Sequence, residues 1–170
     1  MSIPAHSKAV KYVLLAVLFL ASLSAPAFEI DAFRSGMNKA EVKKLLADWK
    51  FDQVQEFSGD TMIAYDFPEK TTGRQFTFSF CNDRLVSFEQ EMKPSVKNFI
   101  VISSNYNRTY GQPLKVEAAS NVTSLGEKNQ LALYWRKGTE LVGLKYVLLP
   151  PHEQLLAVYE TPNTCWQIPR

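Results

Sequence analysis

Apolar residues recur along this chain at two different spacings, and the points where one spacing gives way to the other divide it into elements. In residues 36–50, GMNKAEVKKLLADWK, the positions Val42, Leu45, Leu46 and Trp49 follow at i, i+3, i+4 and i+7. That spacing makes one apolar stripe on a helix. With Asn38 as N-cap, Glu41 falls at the third helical position, where its carboxylate reaches back to the Asn38 amide while the Asn38 side chain accepts from the first turn. Met37 and Val42 supply the hydrophobic staple, and Gly36 allows a sharp entry that a Cβ would hinder. A period of two then takes over in TMIAYDF (61–67), RQFTFSF (74–80) and RLVSFEQEM (84–92). These segments predict three half-buried strands, joined through PEKTTG (68–73) and CND (81–83), both rich in turn-forming residues.

The same order then returns. Phe99, Ile102, Ser103, Tyr106 and Tyr110 take helical spacing between Pro94-Ser95 and Gly111. NFIVI alone would also suit a strand; the proline start, the glycine stop and the spacing favour the helix. Residues 115–129 read as loop with at most one short strand. Period two resumes in LALYWRK (131–137), ELVGLKYVLL (140–149) and QLLAVYE (154–160), and the tail from 161 reads as irregular. The expected architecture is therefore α+β: two helix-plus-antiparallel-meander units, 28–93 and 94–170, forming one curved sheet with the helices on one face.

Strand parity then sorts the side chains. If Phe76, Phe78, Val86, Phe88, Trp135, Val142, Leu144 and Val158 face the helices, the opposite face presents Asp66, Gln75, Thr77, Glu89, Tyr134, Arg136, Lys145 and Tyr159. Tyrosine and arginine supply large contact areas with polar handles, so Tyr134, Arg136, Lys145, Tyr159, Gln75 and Glu89 are the candidate partner-binding residues. The parity of the second half is less constrained, because ELVGLKYVLL is apolar at both odd and even positions.

Charge and cysteine content narrow the setting. The first 27 residues run from His6, Lys8 and Lys11 through the apolar YVLLAVLFLASL to Ala25-Pro26-Ala27, the layout of a secretory signal cleaved after Ala27. The twelve apolar residues fall short of the roughly 20 that a membrane span requires. An uncleaved anchor is the competing reading. No cysteine stands directly after the run, so a lipid anchor is not expected, and the mature chain is expected to keep no stable membrane anchor. The whole sequence has 19 basic and 17 acidic residues. Loss of Lys8 and Lys11 leaves 17 of each, so the mature chain has no net charge that would draw it to nucleic acid. Export to a periplasmic or extracellular setting favours a disulfide between the two cysteines, Cys81 and Cys165, over two free thiols.

Catalytic signals are sparse. His6 falls in the expected signal, and His152 stands alone beside two prolines. The sequence contains no nucleophile elbow, zinc-binding helix motif or phosphate loop, and no cofactor is expected. Asp66 with Glu89 or Glu91 could form a carboxylate pair across strands, but isolated acids on open strand faces are usually solvated, and an acid/base site is not expected. Asn107-Arg108-Thr109 and Asn121-Val122-Thr123 fit the N-glycosylation triplet.

These residues also carry a resemblance. SGMNKAEVKKLL, YDF and FTFSFCNDRLVSFE resemble the helix-then-meander unit of the outer-membrane assembly lipoprotein small protein A, whose hallmark is Gly-Met-Thr/Ser-x-x-Glu-Val ahead of Tyr-x-Phe. With YNRTYGQP and LYWRKGTELVGLKY continuing a second unit, residues 33–160 are similar to the tandem unit of beta-lactamase inhibitor protein. The resemblance implies a fold and a binding role; no functional residue carries over position by position. The expected function is an exported non-catalytic module that holds an unidentified envelope or extracellular protein on its open sheet face, as an inhibitor or envelope-assembly accessory. The alternative is a small-ligand or lipid carrier, with Trp135 and the doubly apolar strands lining a cleft between helices and sheet.

Overall fold

The structure, a computed structural model, describes residues 27–67 and 73–166. The expected signal segment up to residue 26 and most of the 68–73 connection lie outside the described residues. A short hairpin comes first, β1 (Glu29–Ile30) and β2 (Phe33–Arg34), followed by α1 (Lys39–Trp49). The strands β3 (Gln53–Phe57), β4 (Thr61–Tyr65), β5 (Gln75–Cys81) and β6 (Arg84–Met92) come next. Then follow α2 (Val96–Tyr110), β7 (Lys115–Thr123), β8 (Gly126–Lys137), β9 (Glu140–Leu149) and β10 (His152–Glu160). The protein is thus α+β. Its main sheet has eight strands in the order β3-β4-β5-β6-β10-β9-β8-β7, with each neighbouring pair antiparallel.

Local chemistry fixes both helix starts. Asn38 has extended backbone, its Oδ1 accepts from Glu41 N at 2.9 Å, and Glu41 Oε2 accepts from Asn38 N at 2.8 Å, completing the capping box. The segment ahead of α1 is sewn to the β5–β6 turn. Gly36 N donates to Leu85 O, Leu85 N donates to Met37 O, and Arg84 donates to Gly36 O. Gly36 has φ 85°, a conformation that glycine adopts without strain. The turn itself has Asn82 and Asp83 both at positive φ, as a two-residue hairpin of this hand requires. In α2, Ser95 Oγ accepts from Asn98 N at 3.0 Å and Gly111 closes the helix by donating to Asn107 O.

One buried cluster joins these elements. Val42 and Leu46 of α1 and Phe99 of α2 share it with Phe76, Phe78, Phe88, Trp135, Val142 and Leu144 of the sheet. Phe33, from the small N-terminal hairpin, sits at its centre, with ring centroids 4.8 Å from Phe78, 5.6 Å from Phe88 and 5.2 Å from Trp49. The strand period gives no sign of Phe33's role, because β2 is only two residues long.

Four features depart from the sequence expectation. β3 and β7 are strands where the sequence suggests none and at most a short one; both lie at sheet edges, and β7 is exposed along nearly its whole length, so neither has an apolar face to repeat. β8 begins at Gly126 rather than 131, because it pairs with β7 beyond the end of β9. Val86 leaves the main cluster for Leu85, since the β5–β6 register shifts between Ser79 and Phe80. Val158 and Tyr159 exchange faces: Tyr159 pairs with Phe88 and Val142 and belongs to the main cluster. Both sides of β10 are apolar at that point, so alternation alone could not assign them.

Candidate functional site

The register across the sheet shows which predicted residues meet. One row runs across all eight strands through Lys115, Tyr134, Gly143, Val158, Glu89, Thr77, Ile63 and Gln55, each opposite the next. The row beside it holds Glu117, Ala132, Lys145, Leu156, Glu91, Gln75 and Tyr65. Arg136 lies in the third, opposite Leu141, which is opposite Glu160. Five of the six candidate residues therefore share one side of the sheet in three adjacent rows. Tyr159 does not join them. It is 8% exposed, and its hydroxyl is 2.9 Å from that of Tyr106 on α2.

Tyr134, Lys145 and Glu89 form a connected centre. Lys145 Nζ donates to Glu89 Oε1 at 3.4 Å, although their strands are two apart, a separation of roughly 10 Å that the long lysine stem spans. The small size of Gly143 shapes the site beside it. A Cβ there would stand 3.4 Å from the Tyr134 ring and 3.3 Å from Val158, so the glycine lets the ring lie over the β9 backbone. Tyr134 consequently is only 7% exposed and packs with Ala132 and Leu141.

The centre is rich in carboxylates. Burial, together with Glu117, Glu160 and Glu89, pushes the Tyr134 hydroxyl up to about 12, so it remains a hydrogen-bond donor at neutral pH. Burial raises Glu160, against the pull of Lys145 and of a hydrogen bond from Trp166. Burial likewise raises Glu91. Lys115 pairs with Glu117 at the β7 edge. Gln75 and Arg136 flank this centre, half-buried and exposed respectively.

The chain beyond β10 closes one end of the site. Cys81 and Cys165 are bridged, with Cα atoms 5.8 Å apart. Thr161 N donates to Val86 O at 2.9 Å, and Asn163 Oδ1 accepts from both Cys165 N and Trp166 N. These bonds hold Trp166 against Glu160. The bridge is legible in the two cysteines of the sequence; Trp166 is not, because it lies in a segment with no periodicity.

The other expected chemical groups have structural partners. Asp66 is buried and gripped by Arg74, with Arg74 Nε 2.8 Å from Asp66 Oδ2, and the guanidinium lies over the Phe51 ring at 4.3 Å. Asn107 uses its Oδ1 to accept from Trp135 Nε1 at 3.0 Å. His152 is exposed at the start of β10. Among the described residues no group of histidine, cysteine and carboxylate side chains is arranged to hold a metal ion, and no helix is long and apolar enough to cross a membrane.

Two features escaped the sequence. Glu140 is 2% exposed, its Oε2 has no hydrogen-bond partner, and burial pushes it up to about 7. It acts electrostatically on Tyr110 at the end of α2 and on Tyr159 of β10, which places a carboxyl near both tyrosines. Following the Gly138-Thr139 turn, it reads in sequence as an ordinary solvated acid. The second feature is a recess of about 420 Å³ between α1 and β3, lined by Lys43, Leu46, Lys50, Phe51 and Val54 among others.

No protein-family model, curated protein sequence or solved structure matches this chain.

Proposed function

We propose that this protein is an exported, non-catalytic interaction module that holds a protein partner on the sheet face bearing Tyr134, Lys145 and Glu89, in the manner of an inhibitor or an envelope-assembly accessory. The architecture we propose has two helix-plus-meander units, 28–93 and 94–170, joined between β6 and β10, with both helices on the face opposite this site. The single core cluster containing residues from both helices supports that arrangement. The Cys81–Cys165 bridge supports a periplasmic or extracellular location.

The observation that carries the binding proposal is the ordered centre itself. Tyr134 is packed in place over Gly143, Lys145 is tied across two strands to Glu89, and all three stand on hydrogen-bonded strands rather than loops. Such residues lose little conformational freedom when a partner docks, so more of the contact energy remains for affinity. Glu89, Glu91, Glu117 and Glu160 outnumber Lys115, Lys145 and Arg136 across these rows, which fits a partner presenting arginine or lysine side chains.

In-host crosslinking of the native protein tests this reading. A specific protein should be captured by the wild type and lost with Glu89→Lys, which sets a cation against a basic partner; recovery of every partner by that variant removes the face from the proposal. The carrier reading places its ligand between helix and sheet, and the recess beside α1, with apolar walls and two lysines, is the feature that favours it. Its proposed cleft residue Trp135 is fully buried and bonded to Asn107. Native mass spectrometry of a detergent-free preparation decides that point: bound lipid supports the carrier, and an unliganded mass removes it.

A further inference from the structure

The two ends of the sheet differ in how they meet solvent. β3 spans five residues, and Glu56 on it pairs with Lys43 of α1. Charge and short length are ordinary protections of an edge strand. β7 spans nine residues, pairs with β8 in unbroken register from Lys115 to Thr123, and contains no proline. From Ala118 to Thr123 it has no charged side chain. Val116 is 58% exposed and Val122 88%. Its outer edge therefore presents peptide groups unpaired within the sheet and exposed β-branched side chains on a strand of unbroken register, a template for pairing with another strand.

The sequence of this edge is complementary to itself. An antiparallel second copy, related by a two-fold axis through Ala119, places Ala119 opposite Ala119, Ala118 opposite Ser120, Glu117 opposite Asn121, Val116 opposite Val122 and Lys115 opposite Thr123. No like charges oppose each other, small residues occupy the centre, and each exposed valine gains a β-branched partner. The same register keeps the core faces of both copies on one side, whereas a shift of one residue would reverse the copy and part the two valines. The β7–β8 hairpin also has reason to need support: β8 pairs with β9 only from Asn129 onward, so the hairpin from residue 121 to 128 extends past the sheet, with Leu125 at its tip 76% exposed.

We propose that two copies of this chain join edge to edge through β7, in the register centred on Ala119, to form one continuous sixteen-stranded antiparallel sheet. This inference is independent of the partner-binding proposal, which concerns the sheet face. Dimerisation brings two copies of that face into one surface and would present two partners side by side.

The test uses the purified, disulfide-bridged protein. Sedimentation equilibrium should show a monomer–dimer equilibrium at micromolar concentration, and Ala119→Lys, which sets two ammonium groups opposite each other at the axis, should weaken the dimer by about tenfold or more, equivalent to about 1.4 kcal/mol. Circular dichroism of that variant checks that it remains folded; because the side chain at 119 is exposed, the fold should persist. The register is tested separately by cysteine substitution. Ala119→Cys should form an intermolecular disulfide far faster than Thr123→Cys, because only residue 119 meets its own copy within bridging distance. A strictly monomeric wild type, a dimer unaffected by Ala119→Lys, or equal crosslinking rates at 119 and 123 would each overturn the proposal.

Discussion

The β3–β6 side of the sheet and the β7–β10 side are built from the same kinds of element, yet different forces hold them. On the first side the contacts are apolar and aromatic: Phe33, Phe76, Phe78 and Phe88 form an unbroken set of ring contacts that reaches Trp49 of α1. On the second side α2 buries only Phe99 completely, and polar contacts do more of the fixing. Trp135 is tethered to Asn107, Tyr106 to Tyr159, and Glu140 lies buried without a partner for its Oε2. A phenylalanine core gains from burial at any pH, whereas a core containing a carboxyl group gains or loses stability with its proton. The two sides should therefore answer differently to substitution and to pH.

Removal of the central ring of the first side should have the largest effect. Phe33→Ala should cost about 3–5 kcal/mol in chemical denaturation, since the ring is fully buried and touches four others. The loss should be the same at acidic and neutral pH; a strong pH dependence would mean that the two sides are not energetically distinct. Next comes the bridge, whose ends are 84 residues apart in sequence. Replacing both cysteines by serine should cost about 4 kcal/mol by the chain-entropy account. In the same variant Trp166 should become more exposed, seen as a red shift in its emission.

Glu140 offers the sharpest contrast. Its folded-state pKa, about 7, lies above the ordinary glutamate value of 4.5, so the native state retains a proton that the unfolded chain releases. Stability should consequently fall as pH rises from about 4.5 to 7 and level off above that range. Glu140→Gln should be more stable than wild type by about 2 kcal/mol at pH 8 and indistinguishable from it at pH 4. An equal effect at both pH values would show that the carboxyl is not held protonated. The smallest of these effects belongs to the tyrosine pair: Tyr106→Phe should cost about 1 kcal/mol, and adding Tyr159→Phe should restore part of it, because no buried hydroxyl is then left unpaired.

What the sequence disclosed, and what it concealed, follows the range of the forces involved. The capping box of α1, the Ser95 and Gly111 ends of α2 and the strands β6 and β9 depend on neighbours within a few residues, so local spacing displayed them. The strand β7 escaped because an edge strand exposed on both faces has no apolar alternation, only pairing to β8. Strand parity puts Tyr159 on the wrong face because β10 carries apolar side chains at both parities, and only its register with β6 decides between them. Of the candidate site, Tyr134, Lys145, Glu89, Gln75 and Arg136 were visible through strand parity, while Gly143's role required knowing which ring crosses it. Glu140 remained hidden for a similar reason: its burial comes from side chains distant in sequence, whereas its immediate neighbours are a lysine and a turn.

The order of the strands has a consequence for how the molecule comes into being. Among the described residues, backbone pairing between the two sides of the main sheet is confined to Leu155–Glu160 of β10 with Ser87–Met92 of β6. A chain delivered amino end first therefore completes β3 to β6 well before the strand that completes the sheet arrives. Until residue 160 has emerged, β6 is a bare flank open to mispairing, and a chaperone that shields it would have a defined task and a defined moment of release.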